Sequence, residues 1–423
     1  MENPTNSMAS LSLGGTGIVR GLHATRKDRQ YFVVLCGILV ALNLFTFLYH
    51  LSAVSIFNTA GYAVGVVLLA YSVRVAIGTR SNDPAGRVYL TSACLVTFLG
   101  VLYNWPDVQG VDILKYLSIY IFYAAGRASG GPVRPVELRC IYVLAALPIV
   151  FLLGGSSKIY DSDSIAYLPN ANTMVLYYSA ILFAIAPVYG NYVILLQFIN
   201  AAVMNKIGAI VATVVAVGMW VVFPLRRESI IGLMVVGVAG VIGLVMGAFD
   251  RAIGVFESLM FVYRLEPSAV ASMSYKELVH LTGSTDLSGF FRLIHWSNIW
   301  DLYSGGGIGT WIFGYGPGQT VPLTYAELVP HNDYLRILAE YGVFNLIIFA
   351  GFLVHVRRGL ATGGTQVLFV VLCVYFFSEN LLDNFTSMAL YFAYAGRVAA
   401  SSDEDSVKAA WKRKTIARNL AVR

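Results

Sequence analysis

The sequence is poor in charged residues, and this shortage restricts the class of protein. Only 12% of its 423 residues are charged, whereas 57% are hydrophobic and the mean hydropathy is +0.68. Soluble domains carry about 25% charged residues, so the composition excludes a soluble globular protein and predicts a polytopic membrane protein. The net charge of +6 does not indicate nucleic-acid binding, because Lys and Arg lie mainly in short links between apolar segments.

The sequence also lacks the patterns that hold metals and nucleotides. Its cysteines lie in or beside apolar segments without CxxC or metal-ligand spacing, so we interpret them as packing residues. No GK[ST] follows the glycine-rich segments, which excludes a P-loop. Asp161 and Asp163 have a spacing that some sugar-nucleotide-dependent transferases use for a divalent metal, but they lie in a predicted external loop that reads as an ordinary turn. We predict no metal and no cofactor. The cysteines are Cys36, Cys94, Cys140 and Cys373.

Apolar segments of membrane length occupy most of the chain, and the links between them alternate in charge. Positive links are expected in the cytoplasm, which predicts about twelve transmembrane helices with both termini inside. The segment 252–265 is short for a span, and we predict a short or tilted crossing there, because the hydrophilic loop that follows should be external. The predicted spans are 31–49, 56–77, 88–105, 111–126, 139–154, 173–189, 207–223, 229–247, 252–265, 341–356, 366–382 and 387–397.

These spans predict five parts of the chain. The N-terminus is rich in Ser, Gly, Asn and Thr and should be disordered, and the C-terminal tail is basic. Between them, two groups of transmembrane helices flank one large late periplasmic loop with short helices. The parts are a disordered cytoplasmic N-terminus (1–30), N-terminal transmembrane helices (31–265), the periplasmic loop (266–333), C-terminal transmembrane helices (334–399) and the cytoplasmic tail (400–423).

Arg226, Arg227 and Arg292 fall at predicted outward positions, where basic residues are unusual. Contact with lipid headgroups, or an ion pair such as Arg227 with Glu228, would explain any one of them. A site for a phosphate-bearing substrate would explain all three, because guanidinium binds phosphate through paired hydrogen bonds. We favour the phosphate site, and the sequence does not decide between Arg226 and Arg227.

The large loop contains two ordered segments. SGFFRLIHWSNIWDLY places Arg292, Trp296 and Trp300 on one helical face, which is typical of a helix at the bilayer interface. SGGGIGTWIFGYGPG follows, and its glycines, including Gly314 and Gly316, would let backbone amides approach an anion or sugar. A merely flexible loop is the alternative for this second segment.

The segment HNDYLRILAEYGVFNLIIF joins a polar cluster directly to an apolar span. In a helix, Asn332, Arg336 and Glu340 line one side, with Asp333 beside them. His331 precedes that helix and has the chemistry of a general base for a hydroxyl nucleophile, with Asp333 or Glu340 to orient it. In the competing interpretation, Asn332 only caps the helix and Arg336 pairs with Glu340. Both interpretations can hold at once.

The order of FFRLIHW, FGYGPG and HNDYLRILAEYG before a span resembles the O-antigen polymerase and O-antigen ligase superfamily of bacterial surface polysaccharide enzymes. The resemblance is strongest over residues 288–349, with support from LPNANTM and PLRRES. It implies an all-α, GT-C-like protein of the bacterial inner membrane with a periplasmic active site. The implied activity is metal-independent, inverting glycosyl transfer from undecaprenyl diphosphate. Asn345 stands where a second glycine often follows EYG, and we expect it to affect helix packing more than chemistry.

The resemblance also implies roles and partners. Arg292, with one or both of Arg226 and Arg227, would neutralise the diphosphate, His331 would activate the acceptor hydroxyl, and Arg336 and Glu340 would organise that histidine. The leading expectation is a repeat-unit polymerase, which would contact the lipid-linked glycan, the bilayer, and the chain-length regulator and flippase of its pathway. One alternative is a ligase that transfers glycan to lipid A-core. Another is a lipid-linked oligosaccharide flippase, which should carry charges in both halves of the membrane. In this sequence we expect the charges to concentrate around one outer loop, which argues against a flippase.

Overall fold

We describe the protein from a computed structural model. The described residues are 30–52, 54–78, 83–131, 133–153, 171–204, 206–222, 277, 279–280, 288–324, 329–360 and 363–402. Within these ranges the chain forms helices joined by turns and links, with no strand. The all-helical prediction is confirmed for this part of the protein.

Fourteen helices are labelled here in chain order. The first eight are α1 (Tyr31–Ser52), α2 (Ser55–Gly78), α3 (Pro84–Tyr103), α4 (Gly110–Ala128), α5 (Pro135–Leu153), α6 (Ala171–Tyr189), α7 (Tyr192–Val203) and α8 (Ile207–Val222). The other six are α9 (Ser288–Ser304), α10 (Ile308–Phe313), α11 (Thr320–Leu323), α12 (Asp333–Gly359), α13 (Gly363–Tyr375) and α14 (385–402).

Four of the described helices, α1, α2, α3 and α12, are long and apolar enough to cross a membrane. Each provides 18 or more residues, and a bilayer core about 30 Å thick needs about 20 residues at 1.5 Å per residue. Shorter apolar helices lie at Thr173–Tyr189, Tyr192–Val203, Gly208–Trp220 and Gly363–Tyr375. The chain is therefore a multi-pass membrane protein. The expected total of about twelve spans and the five-part division stay predictions, since 229–247, 252–265 and both tails lie outside the described residues.

The helices run alternately between two ends of one bundle, which we name after the two ends of α12. At the Asp333 end, the Gln109 amide before α4 donates to the Pro317 carbonyl at 2.9 Å. At the His355 end, His355 Nε2 lies 3.1 Å from the Asp83 carboxylate, which caps α3. α1 begins and α14 ends at the His355 end, where the Arg397 guanidinium lies over the Phe32 ring.

A short helix, α7, occupies the segment between the predicted spans 173–189 and 207–223. The sequence predicts only a cytoplasmic link there. The turn at Gly190 ends α6 beside Gly364, at the start of α13. α7 then runs back along α6, and the Asn200 side chain donates to the Val175 carbonyl at 3.0 Å. The chain thus returns to the Asp333 end before α8 begins. The missed signal is the apolar run YVILLQFINAAV, which is too short for a predicted span.

This extra helix reverses the direction predicted for α8. The start of α8 lies beside the end of α13, where Gly208 faces Tyr375, and its last turn brings Trp220 against Gly363. α8 therefore ends at the His355 end. The span predicted at 207–223 is instead expected to end on the outer side of the membrane, where His331 is also predicted to lie. That prediction is wrong, because it counts one helix too few before α8. Arg226 and Arg227 follow α8 in the sequence and lie outside the described residues.

Among the described helices, α14 is the most buried. Residues 388–399 are buried almost throughout, and the helix extends beyond the short span predicted at 387–397. A Cβ on Gly126 of α4 would collide with the Ala393 carbonyl, and a Cβ on Gly396 would collide with the Tyr123 carbonyl. Small residues at such crossings let membrane helices pack backbone to backbone, so these glycines set the distance between α4 and α14.

The His355 end holds its own buried ion pairs. Arg397 contacts Glu137 there, and Arg127 Nε lies 3.3 Å from the carboxylate of Asp83. Burial raises the pKa of Asp83, but the hydrogen bond with His355, the Gly86 amide and the Arg127 charge outweigh it and lower the pKa to about 2. The expectation that charges concentrate around one outer loop is therefore wrong. Buried charges occupy both ends of the described bundle.

Candidate active site

Helix α9 carries two side chains of the FFRLIHW motif that contact the segments on either side of the candidate site, one at Glu379 and one just before α12. Arg292 Nη2 lies 2.7 Å from Glu379 Oε1, and Trp296 Nε1 donates to the Pro330 carbonyl at 2.5 Å. The two residues are four apart and therefore share a face of α9. One face of α9 therefore contacts Glu379 through Arg292 and the residue before His331 through Trp296.

Glu379 is the link between Arg292 and His331. Its side chain is only 7% exposed, and its Oε2 lies 3.4 Å from His331 Nδ1 while Oε1 contacts Arg292. Glu379 is not among the predicted site residues, because its position falls within the predicted span 366–382. The signal that could have found it is a carboxylate within a predicted membrane segment, which usually marks a functional site.

His331 has an unusual backbone conformation. It is the one non-glycine residue among those described with a positive φ, of 48°, and its side chain is 42% exposed. Such a conformation costs about 1–2 kcal/mol and persists only where the surroundings fix it. Here Trp296 holds the Pro330 carbonyl on one side, and Asn332 caps α12 on the other by accepting from the Leu335 amide at 3.0 Å. The predicted cap is confirmed.

Asp333, at the start of α12, is hydrogen-bonded to the turn that carries Glu379. Its buried carboxylate accepts from the amides of Leu381 at 2.6 Å and Leu382 at 3.2 Å. Its own amide donates to the Phe376 carbonyl at 2.9 Å. Glu379, rather than Asp333, is the carboxylate in contact with the His331 ring. Asp333 therefore acts on the site through the position of the 376–384 turn.

Arg336 is the centre of a buried ion network. Its Nε lies 3.2 Å from Glu340, its Nη2 lies 3.1 Å from Asp112, and its Nη1 lies 3.0 Å from Asp383. The predicted pair of Arg336 with Glu340 is confirmed. The second oxygen of Glu340 accepts from the Thr320 hydroxyl, so both oxygens of this fully buried carboxylate are engaged away from His331. Glu340 supports the helix that follows His331 rather than touching the imidazole.

Asp383 joins this ion network to the 376–384 turn. Lys115 Nζ lies 2.7 Å from Asp383 and 3.1 Å from Asp112. Burial raises the pKa of Asp383, but the charges of Arg336 and Lys115 outweigh it and hold the pKa below its ordinary value. Asp383 is therefore a carboxylate at neutral pH. Sequence reasoning missed these contacts because they join α4 to residues more than 200 positions away.

The glycine loop FGYGPG supports a break in α12. Gly342 has φ 81°, and its non-helical conformation interrupts the helix. The amides of Tyr315 and Gly316 donate to the carbonyls of Ala339 and Glu340 at 2.8 and 3.0 Å. Backbone groups inside a membrane protein need such partners. These two amides are thus occupied by α12, and a Cβ on Gly314 would collide with the Glu340 backbone.

A cavity of about 380 Å³ opens beside His331. Its described lining comes from α1, α6, the 376–384 turn and the start of α14. The polar part includes Glu379 and Asp383, so both the Arg292 contact and the ion network reach the cavity wall. The lining residues are Leu42, Asn43, Thr46, Thr173, Leu176, Tyr177, His331, Glu379, Asn380, Leu381, Asp383, Asn384, Phe385 and Thr386.

Part of the predicted site lies outside the described residues. Arg226 and Arg227 belong to this part, as do Asp161 and Asp163. Arg292 is therefore the one predicted diphosphate ligand whose position relative to His331 is described. Asn345, the departure from the family pattern, lies away from the cavity, and its side chain donates to the Tyr341 carbonyl at 3.1 Å next to the break in α12.

The fold and site define a multi-pass membrane protein with a buried ionic site at one end of its bundle. Residues 192–350 match the family model described as O-antigen ligase. This match, which covers part of the chain, supports its relationship to the O-antigen ligase and polymerase superfamily, whose members are membrane enzymes of the glycosyltransferase type. The matched region contains Arg292 and His331 and ends before Glu379. The comparison with curated proteins gives no match.

Proposed function

We propose that the protein is a polysaccharide repeat-unit polymerase. It transfers a growing glycan from undecaprenyl diphosphate to a carrier-linked repeat unit at the periplasmic face of the inner membrane. The observation that carries the proposal is the contact of Glu379 with both Arg292 and His331 at a cavity wall. A cation for the leaving diphosphate and a base for the acceptor hydroxyl thus lie side by side, and the family match supports glycan transfer.

In the proposed reaction, His331 acts as the general base. Its Nδ1 faces Glu379, which leaves Nε2 to take the proton of the acceptor hydroxyl. The acceptor oxygen forms a bond with the anomeric carbon while the bond from that carbon to the phosphate oxygen breaks. The bonding electrons leave with the diphosphate, and attack from the opposite face inverts the anomeric carbon. Glu379 is a positioning residue that holds the ring and stabilises its protonated form.

Arg292 stabilises the leaving group. Its guanidinium has five N–H donors, and within the described part of the chain its contact with Glu379 is made through Nη2, so the other donors of the group can bind phosphate oxygens. The side chain is 29% exposed, which keeps it accessible to a large lipid-linked substrate. Stabilisation of developing negative charge is commonly the largest contribution to catalysis. α8 ends at the opposite, His355 end of the bundle, four residues before Arg226 in the sequence, so the proposal assigns this role to Arg292 and no longer to Arg226 or Arg227.

The distribution of basic residues supports a periplasmic site. Arg357 and Arg358 are exposed at the end of α12, far from His331 along the same helix. The positive-inside rule assigns such residues to the cytoplasm. The His355 end, where α1 begins and α14 ends, then faces the cytoplasm, and the Asp333 end faces the periplasm. A chain-length regulator and a flippase of the same pathway are the expected protein partners.

The second candidate is an O-antigen ligase that transfers the glycan to lipid A-core, and the description of the matched family favours it. Deletion of the protein followed by glycan analysis separates the two. Lipid A-core that carries one repeat unit indicates a lost polymerase. Carrier-linked long polymer without capped lipid A-core indicates a lost ligase and would contradict the proposal.

A flippase is the candidate from another class. The buried charges described at the His355 end are paired with one another, and the Arg397 side chain is only 4% exposed, so these described residues form no open polar path across the bundle. In the deletion strain, a lost flippase would leave single lipid-linked repeat units on the cytoplasmic side and no capped lipid A-core. That result would also contradict the proposed polymerase.

A further inference from the structure

We infer that the cavity beside His331 is the acceptor-sugar subsite, and that it selects neutral or amino sugars over uronic acids and phosphorylated sugars. The inference rests on the proposed function and deepens it by naming the class of acceptor. It comes from this chain's own residues in the 376–384 turn, which lies outside the region matched by the family.

The charges in direct reach of a ligand are negative. Glu379 and Asp383 both line the cavity, whereas their partners Arg292, Lys115 and Arg336 are absent from its described lining. His331 is the one basic side chain among the described lining residues. An anionic sugar would therefore meet two carboxylates, and like charges placed together at a binding site oppose binding strongly.

The hydrogen-bonding groups of the wall also favour a donor-rich ligand. The carboxylate oxygens of Glu379 and Asp383 accept hydrogen bonds. Asn380 Oδ1 is buried and has no hydrogen-bond partner among the described residues, although its residue lines the cavity. A buried unsatisfied acceptor costs about 1–3 kcal/mol until a donor reaches it. Sugar hydroxyls and amines supply such donors, whereas carboxylate and phosphate groups supply none when fully ionised.

The size of the cavity is consistent with this ligand. Its volume of about 380 Å³ lies in the lower part of the range of about 300–1,000 Å³ that small-molecule sites occupy. Leu42, Leu176 and Phe385 add apolar surface to the wall. A sugar presents both hydroxyls and apolar C–H faces, so it matches a wall of this mixed character.

Binding of two matched probes tests the inference without any donor present. Octyl β-glucoside and octyl β-glucuronide differ only in the carboxylate at C6. Their affinities for the full-length protein in nanodiscs are measured by equilibrium dialysis, with binding to empty nanodiscs subtracted. We expect the glucoside to bind at least tenfold more tightly. Equal affinities, or tighter binding of the glucuronide, would overturn the inference.

Two variants assign the preference to the cavity. Asp383→Asn should reduce the ratio of the two affinities to about threefold or less, whereas Asp301→Asn, at an exposed carboxylate of α9 outside the lining, should leave it unchanged. An equal change in both variants would indicate bulk charge rather than this wall and would contradict the inference. Asn380→Ala should weaken glucoside binding at least threefold, even if D383N does not fold, and unchanged binding would overturn the subsite.

The two proposals can fail separately. If the probes bind with the expected ratio but the protein transfers no glycan, the acceptor subsite stands and the proposed polymerase fails. If the protein polymerises glycan but binds both probes equally, the polymerase stands and the sugar preference fails.

Discussion

The Arg292 guanidinium lies 2.7 Å from the Glu379 carboxylate, although the two residues are 87 positions apart in the sequence. The second oxygen of the same carboxylate faces His331 Nδ1 at 3.4 Å. A change at either basic residue therefore reaches the other through one buried carboxylate. This relationship makes Glu379 the residue that sets the relative position of the two candidate catalytic groups.

Glu379→Gln should reduce kcat by about 10-fold to 100-fold, which is the usual effect of removing a partner that orients a working side chain. The acceptor KM should change little, because the amide keeps the shape of the cavity wall. Turnover is measured with purified protein and lipid-linked substrate. Glu379→Asp keeps a carboxylate and should recover part of the loss. Equal kcat values for E379Q and the wild type would show that Glu379 has no positioning role.

His331→Ala should abolish polymer formation while the protein level and membrane insertion stay intact, since His331 is the one imidazole among the described residues that line the cavity and the proposed reaction takes the acceptor proton through it. Polymer length is read from glycan gels of cells that express the variant. His280→Ala is a matched control, because His280 is an exposed histidine of the same large loop. A normal polymer distribution in H331A would remove the catalytic proposal.

Arg292→Lys should lower kcat/KM for the lipid-linked donor by about 10-fold to 100-fold, because Lys keeps the charge but cannot make the paired contacts of a guanidinium. The comparison is Arg358→Lys, which makes the same change at an exposed position of the His355 end. Full activity of R292K would favour a headgroup or structural role for this arginine.

The sequence predicts the local parts of this site well. α9, the Asn332 cap and the pair of Arg336 with Glu340 depend on residues a few positions apart, and helical spacing alone determines such contacts. The contacts of Glu379, Asp383, Asp112 and Lys115 are different. They join turns and helices that are distant in the chain, so only the packed bundle brings them together.

Two elements of the fold were missed for physical reasons. α7 has only 12 residues, which is below the length that hydropathy assigns to a span, yet it changes the direction of α8. The break in α12 depends on Gly342, and a glycine within an apolar run does not by itself distinguish a break from a continuous helix. The amides of Tyr315 and Gly316 stabilise that break from a separate loop.

The direction of α7 can be checked by thiol labelling in a background that lacks the native cysteines. Tyr192 and Val203 are exposed near opposite ends of α7. If α7 returns the chain to the Asp333 end, Tyr192→Cys and Val203→Cys should react with a membrane-impermeant maleimide from opposite faces of the membrane. Labelling of both from the cytoplasmic face would instead agree with the inner link predicted from the sequence.

Gly342→Ala should destabilise the protein by about 2 kcal/mol or more, because φ at this residue is 81° and a Cβ would collide with the Ile312 carbonyl. The collision also pushes the glycine loop away from α12 and exposes the carbonyls of Ala339 and Glu340, so activity should fall together with the Tm of the protein in nanodiscs. Gly37→Ala is the matched control, since a Cβ on this helical glycine meets no atom within 4 Å. A Tm of G342A equal to that of G37A would show that α12 does not need its break.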